Sequence, residues 1–135
     1  MNRYKFLMIG ALLLLGILSH SCSKDESEPP VIVLEYPPFN ESINLNESEG
    51  LLFKWVNVEG VTSYNLVFSL STYAGGDRQV IPATTNPLMV SAELLKEKAI
   101  ALGCEASKVT TVYWTVVPVE GKATTQVRSI QVTYY

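Results

Sequence analysis

Histidine is nearly missing from this 135-residue chain, with His20 the single example. Aspartate is almost as scarce, at Asp25 and Asp77 alone. The two cysteines, Cys22 and Cys104, lie too far apart in sequence to form a zinc-binding cluster. No glycine-rich run carries the Lys-Ser/Thr pair of a phosphate loop; "AGGD" (Ala74 to Asp77) lacks it and reads as a turn. Each shortage removes a chemistry. If His20 is lost with a cleaved leader, Ser-His-Asp and Cys-His catalysis go with it, as do histidine-based zinc sites. Paired carboxylates remain as an acid–base option. The glutamates, however, sit in turn-like places: Glu41, Glu47 and Glu49 in one polar run, Glu59 and Glu120 before glycines. They read as solvated turn residues. The expectation is a chain that is not an enzyme, holds no metal and uses no cofactor. Cys104 reads as a small buried hydrophobe, since no histidine stands near to activate it. The two Asn-Glu-Ser triplets, from Asn40 and Asn46, read as loop composition.

A long apolar run is also lacking. Phe6 to Leu18 is almost wholly apolar, but it falls well short of the roughly 20 residues that cross a bilayer as a helix. It fits the apolar region of a secretory signal, about 7–15 residues, preceded by Arg3 and Lys5. Ser21 then precedes Cys22, an order that resembles a bacterial lipobox, in which the chain is cut before a cysteine that carries lipid. Leu18 stands four places before the cysteine, where lipoboxes usually have leucine at three. The alternative is an ordinary cleaved signal with an incidental cysteine. The expected organisation is a lipoprotein signal peptide at 1–21, an acidic tether at 22–30 and one domain at 31–135. Lys24, Asp25, Glu26 and Glu28 follow the cysteine and resemble the surface-export signal of Bacteroidota lipoproteins; they also suit a solvated tether. Acyl chains on Cys22 would hold the chain on a membrane, at about 0.8 kcal/mol per buried methylene.

Charge narrows the partners. Ten Lys+Arg face thirteen Asp+Glu, a formal net charge of −3. Cleavage before Cys22 removes Arg3 and Lys5, which leaves eight against thirteen, or −5. That balance argues against nucleic acid and against an anionic headgroup surface.

From Val31 onward, short β-rich runs alternate with turns. "VIVLEY" (Val31 to Tyr36) ends at Pro37-Pro38, and "SINL" (Ser42 to Leu45) follows. In "LLFKWVNV" (Leu51 to Val58), Leu51, Phe53 and Trp55 share one face. In "SYNLVFSLS" (Ser63 to Ser71) that face is Tyr64, Leu66 and Phe68. "RQVIPA" (Arg78 to Ala83) contains Pro82, which suits an edge strand. "TTVYWTVVPV" (Thr110 to Val119) aligns Val112, Trp114 and Val116, and "QVRSIQVTYY" (Gln126 to Tyr135) aligns Ile130 and Val132. One segment has helical spacing instead, about 91–102. Ser91 suits the N-cap, Glu93 the first turn, and Val90 with Leu95 a hydrophobic staple. Leu95, Ala99 and Leu102 form the apolar stripe, and Gly103 the left-handed stop. The pattern predicts an all-β sandwich of about seven strands with one short inserted helix.

Taken in order, "LLFKW", "GVTSYNLVFSLS", a helix ending "ALG", "VYWTVVPV" and "SIQVTYY" resemble the N-terminal immunoglobulin/fibronectin-III-like domain of SusE-type outer-membrane lipoproteins of Bacteroidota. The resemblance spans about Val31 to Tyr135 and includes the lipoprotein front end. It implies an outer-membrane, surface-facing lipoprotein, a non-catalytic accessory in binding or uptake of starch-like polysaccharide. Family members usually continue into carbohydrate-binding modules, which would begin at about Tyr135, and their sugar-binding residues lie mainly there. None is therefore carried onto this chain. The alternative function is a structural or assembly module that docks to an outer-membrane transporter. Within the chain, Trp55 and Trp114 alternate with core positions and read as core. Tyr73, in a glycine-rich loop beside Asp77 and Arg78, is the candidate ligand-binding residue, with those two as its charged neighbours. Tyr113 shares an outward parity with Thr115 and Val117 and suggests a shallow face. Tyr134 and Tyr135 read as a strand-terminal end.

Overall fold

The computed structural model describes residues 29–72 and 76–135. Its elements in chain order are β1 (Val31–Ile32), β2 (Leu34–Tyr36), β3 (Glu41–Asn44), β4 (Gly50–Trp55), β5 (Tyr64–Ser69), β6 (Arg78–Ala83), β7 (Leu88–Ser91), α1 (Ala92–Leu102), β8 (Thr110–Pro118), β9 (Thr124–Thr125) and β10 (Arg128–Thr133). A mixed five-stranded sheet runs β3-β10-β8-β5-β6, an antiparallel sheet runs β2-β4-β7, and β1 pairs with β9. Among the described residues the chain is therefore mostly β with one short helix.

Alternation generates the core. Phe53, from the three-stranded sheet, meets Phe68 and Trp114 of the five-stranded sheet edge-on, with centroids 5.6 and 5.0 Å apart. Edge-to-face geometry suits the quadrupoles of aromatic rings and adds about 0.5–1.5 kcal/mol per pair beyond burial. Leu34, Leu66, Val116 and Ile130 are buried in the same core. Three strands cover less width than five, and α1 adds apolar cover. Its Leu95, Ala99 and Leu102 border a void of only about 10 Å³ together with Phe68, Val112, Ile130 and Val132 of the larger sheet.

The ends of the helix follow from its sequence. Ser91 takes an extended backbone and its hydroxyl accepts the Leu94 N–H at 3.2 Å. Gly103 enters the left-handed region at φ 101°, so the N–H groups of Gly103 and Cys104 reach the carbonyls of Ile100 and Ala99. This double bond pattern satisfies carbonyls that a helix end otherwise leaves open. Val90 and Leu95 are both buried, as a staple requires.

The first strands depart from the expected single run. β1 pairs in parallel with β9, Val33 offers its carbonyl to Val56 beside β4, and β2 pairs with β4. After Pro37-Pro38 the chain crosses to the other sheet, where β3 lies parallel to β10. Glu41 opens β3 and does not lie in a loop. Arg128 fastens this crossing: its guanidinium donates to the carbonyls of Glu35 (3.1 Å) and Pro37 (2.9 Å) and lies over the Phe39 ring. With β1, β7 and β9 also formed, the described residues hold ten strand segments, where the sequence suggested about seven. Tyr134 is buried and its hydroxyl donates to the Cys104 carbonyl at 2.7 Å, so it is a fastening point more than a loose end.

One side chain completes a strand. Asn86 faces the end of β4 and acts as an extra peptide group. Its Oδ1 accepts the Trp55 N–H at 3.3 Å, and its Nδ2 donates to the Trp55 carbonyl at 2.7 Å and to Asn57 Oδ1 at 2.9 Å. Asn86→Ala removes the partners of both backbone polar groups of Trp55, in part-buried surroundings. It is expected to lower stability by about 2–3 kcal/mol, read as the shift in a urea unfolding curve. An unchanged midpoint would show that water serves Trp55 equally well.

Candidate functional site

The outward face of the five-stranded sheet is set by the same alternation that fills the core. In β5, Tyr64, Leu66 and Phe68 turn inward, so Asn65, Val67 and Ser69 turn outward. In β8, Val112, Trp114 and Val116 turn inward, so Tyr113, Thr115 and Val117 turn outward. Strand register then sorts these residues into rows. Ser69 stands between Arg78 and Tyr113, and Val67 between Val80 and Thr115.

A cleft of about 210 Å³ opens over these rows. Its nearly buried floor is Val67 and Ser69. Tyr113, Thr115 and Val117 line it from β8, and Arg78 from β6. Thr125 and Val127 close another side, where the chain passes from β9 to β10. Thr115 holds that passage by donating its hydroxyl to the Gln126 carbonyl at 2.6 Å. Ser71 and Thr72 border the cleft beyond β5, where the Ser71 N–H donates to Ser69 Oγ at 3.0 Å.

The electrostatics are lopsided. Arg78 is exposed and, among the described residues, is the one charged residue in the lining. The two ion pairs among the described residues, Lys54–Glu35 and Lys108–Glu105, lie elsewhere. Asp77 is exposed beside Arg78 in sequence but does not line the cleft. Tyr73 and Cys22 lie outside the described residues. Of the predicted ligand group, then, Arg78 reaches the cleft and Asp77 does not. The shallow face expected from Tyr113, Thr115 and Val117 is part of the same cleft. Val67 and Ser69 were findable by the same parity in β5. Thr125 and Val127 were not, because they lie at the end of β9 and on its link to β10, which no periodic pattern marks.

Other candidates are settled by burial. Trp55 and Trp114 are core residues; Trp55 packs edge-on against Tyr64 at 5.6 Å. Their indole N–H groups have no acceptor among the described residues. Cys104 is buried, and burial pushes its thiol pKa up against an opposing hydrogen bond from Thr110. A raised pKa means little thiolate and hence low reactivity near neutral pH. Among the described residues, no group of three or more His, Cys, Asp or Glu can hold a metal ion, and no helix is long and apolar enough to cross a membrane.

The cleft brings together an aromatic ring, several hydroxyls and a guanidinium. Hydroxyls both donate and accept, which suits a polyhydroxylated ligand. At about 210 Å³ the space is smaller than the roughly 300–1,000 Å³ of ordinary small-molecule pockets, so it suits a single ring. Comparison of the chain with protein-family models, curated proteins and solved structures gave no match.

Proposed function

We propose that this chain is a surface-exposed, outer-membrane lipoprotein anchored through Cys22 that acts as a non-catalytic accessory in glycan capture. The observation that carries the glycan reading is the outer-face cleft, where the Tyr113 ring, the Ser69 and Thr115 hydroxyls and the Arg78 guanidinium share one concave surface. Ring stacking with multiple hydroxyl contacts is a chemistry that suits sugars. The anchoring reading is supported by the order of basic residues, apolar run, Ser21 and Cys22. The resemblance to SusE-type lipoproteins joins the two. With it comes the finer fold reading, an immunoglobulin/fibronectin-III-like sandwich, supported by Phe53 meeting rings of the opposite sheet.

Two measurements test these halves. Metabolic labelling with a palmitate analogue should mark the wild-type chain, while Cys22→Ser should lose both label and membrane association. An equally labelled variant would sink the anchor. Affinity electrophoresis of the detergent-purified chain through gels containing starch and acidic polysaccharides should show retardation in at least one. Uniform mobility in all of them would count against direct glycan binding.

A second reading, an assembly module docking to a transporter complex, is favoured by the exposed apolar Val80 and Val127 near this face. Such residues suit contact with a protein. Crosslinking in intact membranes separates the two readings: recovery of the chain alone would weaken the assembly role.

A further inference from the structure

We infer that the outer-face cleft recognises an acidic sugar, one carboxylate-bearing ring at a time, with its carboxylate on Arg78 and its ring toward Tyr113. This inference rests on the proposed glycan-binding role and specifies its ligand class.

The argument begins with register. Arg78 and Tyr113 both pair with Ser69, so guanidinium, hydroxyl and phenol form one row across three strands. Adjacent strands lie about 4.8 Å apart, so Arg78 and Tyr113 stand ~10 Å apart along the row. That span admits one pyranose ring between them, and the cleft volume agrees with one ring and not two. The charge argument is independent of the span. The chain is acidic overall, at −3, yet among the described residues the only charge in this lining is positive. Arg78 has no ion-pair partner among the described residues. A planar guanidinium meets a planar carboxylate through two parallel N–H···O bonds, a geometry that a neutral sugar does not offer. Among the described residues, no carboxylate lines the cleft to repel such a ligand. Thr115 has already committed its proton to the Gln126 carbonyl, so toward a ligand it acts as an acceptor of sugar hydroxyl protons.

The test compares oligogalacturonate with its fully methyl-esterified form, which keeps the ring and hydroxyls but loses the charge. Binding to the full detergent-solubilised chain is measured by calorimetry. The acid form should bind at least tenfold more tightly than the ester, and the difference should shrink as salt is raised. Arg78→Gln should abolish the preference by weakening the acid form about tenfold, while Arg78→Lys should recover only part of it. Arg78 is exposed, so unchanged thermal unfolding should confirm that these variants fold. Equal binding of acid and ester would overturn the acidic-sugar assignment and leave glycan binding intact. Acid binding that persists in Arg78→Gln would place the site elsewhere. Absence of binding by both forms would overturn the assignment. If starch and the other polysaccharides then also fail to retard the chain, the glycan-binding role falls with it.

Discussion

Phe53→Ala is expected to remove about 4 kcal/mol of folding stability, the largest effect of any single truncation considered. The side chain is fully buried in β4 and meets two aromatic rings of the opposite sheet, where Trp55 meets one. Loss of a buried phenylalanine costs roughly 3–5 kcal/mol in transfer and cavity terms. The edge-on contacts with Phe68 and Trp114 place this site toward the upper part of that range. A domain has only about 5–15 kcal/mol in total, so the variant sits close to unfolding. Urea titration followed by tryptophan fluorescence reads the effect directly, because the Trp114 ring lies against Phe53. Phe53→Leu should recover most of the loss. A midpoint within about 1 kcal/mol of wild type for the alanine variant would mean that the sheets collapse into the vacated space.

Gly50→Ala should cost about 3 kcal/mol although it deletes nothing. A Cβ at this position would stand 2.3 Å from the Val90 carbonyl oxygen, a backbone atom with no rotamer to yield. The φ of +154° adds a conformation that side chains seldom adopt. Backbone strain and overpacking each contribute about 1–3 kcal/mol. The damage is not confined to one strand pair. Gly50 pairs with Ser91, which is also the N-cap of α1, and the next residue, Ala92, donates its N–H to the Glu49 carbonyl. Pushing β7 away from β4 therefore shifts the helix entrance too. The melting temperature should fall by about 15 °C. A shift below about 4 °C would show that the β3–β4 connection moves aside without cost.

Much of this architecture was readable because period-2 alternation survives wherever one strand face is buried. Phe53 and Trp55, Leu66 and Phe68, Val112 and Trp114 all fell on the inner faces by counting alone. Pro82 marked β6 as an edge because proline lacks the N–H that a central strand must donate, and β6 ends the five-stranded sheet. The helix was legible from its caps. Less was visible where pairing is short or shared. β7 has four residues, running from just after Pro87 to the N-cap Ser91, too few to show alternation. β1 and β2 form one hydrophobic run, and nothing local states that it divides between two partners. The cleft was half legible: its β8 wall followed from parity, and Arg78 from its place after a glycine-rich loop. Its Thr125–Val127 side depends on the β9–β10 link held by Thr115, a contact between separate elements.

The parallel pairing of β3 with β10 has a mechanical consequence. Glu41–Asn44 lies beside Ile130–Thr133, running in the same direction. Tension applied at the front of the chain and at its rear pulls these two strands past one another lengthwise. Every rung of the ladder then bears the load at the same moment, whereas an antiparallel pair would open one rung at a time, like a zip. If Cys22 carries lipid as proposed, a load at the rear of the domain would meet this lengthwise resistance and not a progressive opening.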